Sequence, residues 1–115
     1  MTDRDRLYLQ HIVEAISRIE RFTADGRAAF MADEKTQSAV MRQLEIIGEA
    51  AKRISDPLKQ SAADLPWREI AATRDRLIHG YFSVKLDIVW NVVERDLEAL
   101  KRRVAQLLAG GRPAA

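Results

Sequence analysis

The sequence predicts an all-α fold, and three features of its 115 residues lead to this expectation. Glycine and proline are scarce, with five and three copies, so few positions interrupt a helix. Apolar residues recur at steps of three and four, which is the spacing of one helix face. No long stretch alternates between apolar and polar residues as a half-buried strand does. We therefore expect an antiparallel bundle of four main helices with short helical pieces between them.

The first two helices follow from two apolar stripes. The first stripe predicts a helix from Asp5 to about Thr23 that Gly26 ends, and it consists of Leu9, Ile12, Val13, Ile16 and Ile19. The second helix begins near Asp33 as its N-cap, and its stripe consists of Val40, Leu44, Ile47, Ala51 and Ile54. Gly48 lies inside this helix, where glycine costs up to about 1 kcal/mol relative to alanine. We expect another helix to pack closely there, with the close approach of a ligand as the alternative.

The third main helix follows an interruption of the apolar pattern. The segment Ser55-Asp56-Pro57 breaks the second helix, and a short irregular or helical piece continues through Ser61. The third main helix is predicted from about Pro66 to His79, with Gly80 at its end. Its core face consists of Trp67, Ile70, Ala71, Leu77 and Ile78.

The last helix is predicted to be the longest and to begin near Val84. Its nearly unbroken seam consists of Leu86, Val89, Val93, Leu97, Leu100, Val104 and Leu107. Residues 1–109 are expected to form one helical domain. Residues 110–115 lack apolar periodicity, so we expect a disordered tail.

Composition limits the classes of function. Lysine and arginine total 19 against 17 acidic residues, which permits binding to nucleic acid without requiring it. The chain has no cysteine, which excludes a disulfide framework and a thiolate metal site. The opening Met1–Arg6 has no apolar segment for export, and no apolar run approaches the length of a membrane span. We expect a soluble, cytoplasmic protein.

The residues with the greatest chemical potential lie together in the segment Arg74–Tyr81. Arginine can hold a phosphate, histidine can move a proton near neutral pH, and tyrosine can donate a hydrogen bond. Arg74 and His79 lie about 140° apart on an ideal helix, so they do not share one face. Asp75 and His79 do share a face, so Asp75 could orient the imidazole and raise its pKa.

Arg74 is unusual because it falls on the apolar face of its predicted helix, with Ile70 and Leu77. A guanidinium there needs a partner, unless the face opens onto a cleft. A purely structural alternative makes Arg74 a helix-end arginine that binds carbonyl groups, and His79 a histidine favoured by the helix dipole.

Other candidates are weaker. His11 has no second histidine at metal-ligand spacing and is interpreted as a surface residue. Glu45 and Glu49 share a helix face, yet the Glu-x-x-His pairs of a di-metal bundle are missing, so no metal site is predicted. Trp67 and Trp90 are interpreted as core or interface anchors.

The pattern Arg74-x4-His79-x-Tyr81 resembles the motif of HEPN domains, specifically of the HepT-like toxin family. The resemblance extends over roughly residues 5–108 and includes the segments Ile46–Ser55, Pro66–Ile70 and Ile88–Trp90 with Asp96-Leu97. It implies a HEPN bundle that acts as an endoribonuclease toxin without a metal or another cofactor. The resemblance also implies a neighbouring antitoxin, a minimal nucleotidyltransferase of the MntA type.

Four residues receive roles through this resemblance. Arg74 and His79 are expected to be catalytic, Arg74 and Tyr81 to bind RNA, and Asp75 to support them as a neighbour. The antitoxin is expected to adenylylate Tyr81, which would add a bulky anion beside the RNA phosphate. Many family members have asparagine where this chain has Asp75.

Cleavage of RNA by its 2′-hydroxyl needs a base, an acid and positive charge for the phosphorane. One motif histidine supplies one proton shuttle, so we expect a homodimer that brings two copies of His79 to one cleft. Two alternatives stay open. The domain could be a noncatalytic module that binds a nucleotide or the nucleotidyltransferase, or Tyr81 could serve only as an acceptor of the modification.

Overall fold

The computed structural model of the chain describes residues 1–79 and 85–110, and for 77–79 it describes the backbone alone. The described ranges contain helices and no strand, which confirms the predicted all-α class. The helices are α1 (Asp3–Phe22), α2 (Arg27–Ala32), α3 (Glu34–Arg53), α4 (Asp56–Ser61), α5 (Trp67–His79), α6 (Leu86–Arg95) and α7 (Leu97–Leu108).

Helix α1 packs against both α3 and α7 and runs antiparallel to each. Its N-terminal turn meets the C-terminal end of α3 through Asp5 and Ser55. The same turn meets the C-terminal end of α7, where Nη1 of Arg6 donates to the carbonyl of Leu108 (3.2 Å). The predicted stripe of α1 is confirmed, because its residues fill the space between the two neighbours; Leu9, Ile12, Ile16 and Ile19 are completely buried.

The segment between α1 and α3 differs from the prediction. Helix α1 ends at Phe22 with Thr23 as its C-cap, so Gly26 does not end it. Gly26 instead adopts a positive φ of 91° immediately before α2. The short helix α2 buries Phe30, whose ring lies 5.4 Å from that of Trp90 between centroids. Six residues are too few to show an apolar repeat, so the sequence pattern did not predict α2.

The last helix is divided, which corrects the expectation of one continuous helix. Asp96 separates α6 from α7. Its N–H still donates to the carbonyl of Val92 (3.0 Å), and its own carbonyl accepts from the N–H of Leu100 (3.2 Å). The apolar register therefore continues through the break, and Leu97 and Leu100 stay buried. This continuity is why the periodicity did not reveal a break at aspartate, which is a weak helix former.

Helix α4 and the start of α5 are tied to the bundle by polar contacts. Ser55 caps α4, which confirms that the predicted short piece is helical. The indole N–H of Trp67 donates to the carbonyl of Ala62 (3.1 Å). Arg103 on α7 donates to both oxygens of Asp64, at 2.8 and 3.2 Å. These contacts fix the N-terminal end of α5, and the helix then crosses α3.

Some predictions fall on residues that lie outside the described ones. They are the core roles of Leu77 and Ile78, the helix end at Gly80, the helix start near Val84, and the tail beyond Gly110. Of the helices that are described, none combines the length and apolar character needed to cross a membrane.

Helices α3 and α5 approach each other closely at Gly48 on α3. A Cβ atom at this position would lie 2.5 Å from the Cβ of Arg74 and 3.1 Å from both the Arg74 nitrogen and the Ile70 carbonyl oxygen. These neighbours are backbone or the first atom of a side chain, so they cannot swing aside. The structure therefore confirms the close helix packing that the glycine predicted.

A buried carboxylate joins α1 to the junction of α3 and α4. Asp5 is 2% exposed, and its two oxygens accept hydrogen bonds from the backbone N–H (2.8 Å) and hydroxyl (2.6 Å) of Ser55. Burial is the largest single influence and opposes ionisation, but the hydrogen bonds from Ser55 and Thr2 together outweigh it and lower the pKa of Asp5. Asp5 is thus ionised and satisfied near neutral pH.

Replacement of Gly48 by alanine is expected to destabilise the fold by about 1–3 kcal/mol, because the added methyl group overlaps α5. In a solvent-exposed helix, alanine is more favourable than glycine by about 1 kcal/mol. Helix propensity alone therefore predicts that the substitution stabilises the protein. Urea unfolding of Gly48→Ala measures the difference. The control is Ser38→Ala, at an exposed position of the same helix, which should be neutral or slightly stabilising. A Gly48→Ala protein more stable than the wild type would contradict the close contact.

Asp5→Ala is expected to cost about 2–4 kcal/mol, because it leaves the N–H and hydroxyl of Ser55 without their charged acceptor. Asp3→Ala, an exposed neighbour in the same turn, should cost less. Since the folded pKa of Asp5 is lowered, its contribution is present above the unfolded value of 3.8 and is lost as the pH falls through the folded pKa. The difference in unfolding free energy between wild type and Asp5→Asn should therefore be smaller at about pH 3 than at about pH 6. A difference in unfolding free energy that is the same at both pH values would exclude this linkage.

Candidate functional site

Arg74 lies within α5, which ends at His79, as the sequence predicted. The structure describes the side chains of Arg74 and Asp75. His79 is the last residue of α5 and is described by its backbone alone, and Tyr81 lies outside the described residues. Of the motif residues Arg74, His79 and Tyr81, Arg74 is therefore the one whose side-chain contacts the structure describes.

Arg74 combines the two alternatives that its place on the apolar face predicted, a partner and a cleft. Its Nε lies 2.8 Å from Oε2 of Glu49 on α3, and its Nη1 lies 3.5 Å from Oδ1 of Asp75. The Arg74 side chain is 30% exposed. The guanidinium thus contacts two carboxylates and still reaches solvent. Asp75 contacts Arg74, whereas its predicted contact with His79 lies outside the described side chains.

Glu49 is shared between two arginines. Its Oε1 accepts a hydrogen bond from Nε of Arg53 (2.9 Å) one helical turn later, while Oε2 faces Arg74. The hydrogen bond from Arg53 is the main cause that lowers the pKa of Glu49; burial opposes it, and the charges of Arg74, Arg53 and Lys52 lower the pKa further. Glu49 is therefore a fixed anion near neutral pH. Because each arginine binds it through Nε, most of the five donors of each guanidinium can serve another acceptor.

Two depressions of the surface share Glu49 and Arg74 in their walls. The first, which we call the cationic cleft, has a volume of ≈ 750 Å³, and its further charged lining residues are Arg4, Asp5, Lys52 and Arg53. The second, which we call the aromatic recess, has a volume of ≈ 190 Å³, and its further polar and aromatic lining residues are Tyr8, His11, Arg42 and Glu45. The motif arginine therefore stands where the two depressions meet.

The aromatic recess contains the other histidine of the chain. The rings of Tyr8 and His11 lie edge to face, with centroids 5.6 Å apart and planes at 89°. The guanidinium of Arg4 lies 5.8 Å from the centroid of the Tyr8 ring, within the range of a cation–π contact. His11 is half-buried on α1, so its interpretation as a plain surface residue was incomplete.

The carboxylates of the site bind cations of the protein. Glu45 pairs with Arg42 (3.3 Å), and Glu49 pairs with Arg53 and Arg74. Over residues 1–79 and 85–110, no group of three or more histidine and acidic side chains is placed to hold a metal ion. Trp67 and Trp90 are 7% and 8% exposed, which confirms that they belong to the core.

Sequence reasoning missed three residues around Arg74, and two of them carried a signal. Glu49 and Arg53 have the i, i+4 spacing of a helical ion pair, and Glu49 directly follows the glycine that marks the close contact with α5. His11 carried none, because its place in the recess depends on how α1 packs against α3.

Comparisons with known proteins agree with this architecture. The chain is 46% identical over 101 residues to "Probable ribonuclease HepT" of Thermococcus cleftensis, covering 87% of this chain and 92% of that protein. It is 36% identical over 104 residues to a protein of Caldanaerobacter subterraneus subsp. tengcongensis named "Putative RNase", covering 90% and 93%. No solved structure matches the chain significantly.

A third relative is larger than this chain. It is a Methanocaldococcus jannaschii protein named "Gamma-glutamylcyclotransferase and putative RNase", 38% identical over 104 residues, of which the chain covers 47%. The family model described as "Ribonuclease HepT-like" matches residues 12–107, a range that includes α3, α5 and the whole motif. The chain belongs to the ribonuclease HepT-like family.

Proposed function

We propose that this protein is the toxin of a toxin–antitoxin pair, a metal-independent endoribonuclease with Arg74, His79 and Tyr81 at its site. The observation that carries the proposal is the place of Arg74, the motif cation. Glu49 holds it in the wall of the cationic cleft, on the helix that ends at His79. The names of the relatives, which include ribonuclease, support the same reaction.

Arg74 binds the scissile phosphate in this proposal. A guanidinium presents donors in a planar fork that suits the oxygens of a phosphate, and it stays charged at every physiological pH. During attack by the 2′-hydroxyl, negative charge grows on the phosphorane, and a cation already held in position stabilises that charge without reorganisation. The contact with Glu49 supplies this positioning, since it fixes Nε of Arg74.

His79 moves the proton in this proposal. The reaction needs one group to accept the proton of the 2′-hydroxyl and another to protonate the leaving 5′-oxygen. One copy of His79 serves one of these roles at a time, so a homodimer would complete the site with a second copy. Asp75 supports the site, because it contacts Arg74 and shares a helix face with His79.

Tyr81 binds substrate and is also the residue that the antitoxin modifies. Its phenol donates a hydrogen bond to the RNA. An MntA-type nucleotidyltransferase would catalyse attack of the phenol oxygen on the α-phosphorus of ATP, with release of pyrophosphate and of the phenolic proton, and a phosphodiester anion would remain on Tyr81. The anion would compete with RNA for the Arg74 guanidinium and repel the backbone, which would silence the toxin.

The proposal is tested by inducible expression of the wild type and of Arg74→Ala, His79→Ala and Tyr81→Phe. Growth and total RNA are followed after induction. The wild type should arrest growth and fragment RNA, and the first two variants should do neither. The control is Arg102→Ala, which removes an exposed arginine on α7 and should remain toxic.

Two outcomes would contradict the proposal. One is His79→Ala with full activity, which would remove the motif histidine from the chemistry. The other is a folded, oligomeric wild type that neither arrests growth nor cleaves RNA, which would favour a noncatalytic HEPN module. Mixing the purified protein with its partner and ATP, followed by intact mass, tests whether Tyr81 accepts the adenylyl group.

Glu49→Gln is expected to lower kcat for RNA cleavage by about 10- to 100-fold, because Arg74 loses the anion that fixes its position. The KM should stay equal or fall, because the loss of one negative charge makes the cleft more attractive to RNA. Steady-state kinetics on a fluorogenic RNA separates the two constants. Glu98→Gln, which alters an exposed ion pair with Arg102, is the control. A raised KM with unchanged kcat would show that Glu49 does not position Arg74.

A further inference from the structure

We propose that the cationic cleft is an RNA-backbone subsite, in which Arg53 and Lys52 bind the phosphate next to the scissile one. The inference rests on the proposed function, since it takes the scissile phosphate to lie at Arg74. It adds a substrate requirement: an RNA strand that presents at least two consecutive phosphates.

The carboxylate of Glu49 is shared between two arginines. Its two oxygens hold Nε of Arg53 at 2.9 Å and Nε of Arg74 at 2.8 Å. Both guanidinium groups are therefore held side by side at the same carboxylate, so they can bind two neighbouring phosphates of one strand. Each retains further N–H donors for an anion, and fixed guanidinium groups suit phosphate oxygens.

Cationic side chains outnumber carboxylates in the lining of the cleft. Its lining contains Arg4, Lys52, Arg53 and Arg74. The carboxylates in the same lining, Asp5 and Glu49, are engaged by Ser55 and by the two arginines. The whole chain has a formal excess of only two positive charges, so the cleft concentrates positive charge at one place. Such a concentration attracts a polyanion more strongly than an isolated cation does.

The aromatic recess differs from the cationic cleft in both charge and volume. In the recess, Arg42 and Arg74 face Glu45 and Glu49, so the charges balance. The volume of the recess is ≈ 190 Å³, against ≈ 750 Å³ for the cleft. A strand that leaves Arg74 therefore finds both room and positive charge in the cleft. The side chain of Arg53 is 48% exposed, so it is accessible to such a strand.

The experiment measures binding of a ten-nucleotide RNA that carries 2′-O-methyl groups and cannot be cleaved. Fluorescence anisotropy over a salt series gives the affinity and its salt dependence. Arg53→Gln and Lys52→Gln should each weaken binding about 3- to 10-fold and reduce the slope of log K against log salt by about 0.7. Arg53→Lys keeps the charge and should keep the slope near that of the wild type.

The matched control is Arg102→Gln. Arg102 pairs with Glu98 at i, i+4 on α7, as Arg53 pairs with Glu49 on α3, but it does not line the cleft. It should leave both affinity and slope unchanged. Thermal unfolding of every variant checks that the fold is intact. An Arg53→Gln slope equal to that of the wild type would overturn the subsite.

Cleavage kinetics add a test that depends on substrate length. A dinucleotide contains only the scissile phosphate, so it cannot reach the subsite, whereas a ten-nucleotide RNA can. Arg53→Gln should reduce kcat/KM more for the longer RNA than for the dinucleotide. Equal reductions for both substrates would mean that Arg53 acts only through Glu49 and Arg74, which would overturn the proposal.

These results distinguish the subsite from the proposed function. A wild type that binds RNA with the expected slopes but never cleaves it would retain the subsite and reject the ribonuclease. A wild type that cleaves RNA, together with an Arg53→Gln variant that binds RNA as tightly as the wild type, would retain the ribonuclease and reject the subsite. Loss of antitoxin binding in Arg53→Gln with unchanged RNA binding would assign the cleft to a protein partner and overturn the subsite.

Discussion

The close approach of α3 and α5 at Gly48 is the constraint on which the site depends. A Cβ atom at this position would lie 2.5 Å from the Cβ of Arg74, so α3 and α5 can pack this closely only where α3 has no side chain. The next residue, Glu49, is then near enough to bind the Arg74 guanidinium directly. A wider separation of the helices would leave a cation on an apolar helix face without its partner, which would be costly.

The shared carboxylate of Glu49 also explains how a small domain keeps several cations together. Arg53 and Arg74 repel each other, and Glu49 offsets this repulsion because it contacts both. Asp5 also lines the cleft, but its carboxylate accepts hydrogen bonds from Ser55 rather than from an arginine. Arg53 and Arg74 each bind Glu49 through Nε, which leaves further donors of both guanidinium groups for other acceptors. A phosphate can be bound by such an arrangement without a metal ion.

Local periodicity predicted the class of fold and most helices, because the apolar stripes of α1, α3 and α7 are long and regular. It failed where an element is short, as in α2, and where a break preserves the apolar register, as at Asp96. For the site, the sequence predicted that Arg74 needs a partner or a cleft. It did not identify His11, whose place beside Arg74 depends on how α1 packs against α3. It considered Glu49 only as a metal ligand, although the i, i+4 spacing to Arg53 carried a signal. Asp75 contacts Arg74, and its expected contact with His79 stays a prediction because the His79 side chain lies outside the described ones.

The central claim is that Glu49 acts on the reaction through Arg74. A double-mutant cycle tests it most directly, with kcat/KM for RNA cleavage measured for wild type, Glu49→Gln, Arg74→Ala and the double variant. If Glu49 positions Arg74, its substitution should have little further effect once Arg74 is absent, so the double variant should match Arg74→Ala. Fully multiplicative losses would show that the two residues act independently and would contradict this account.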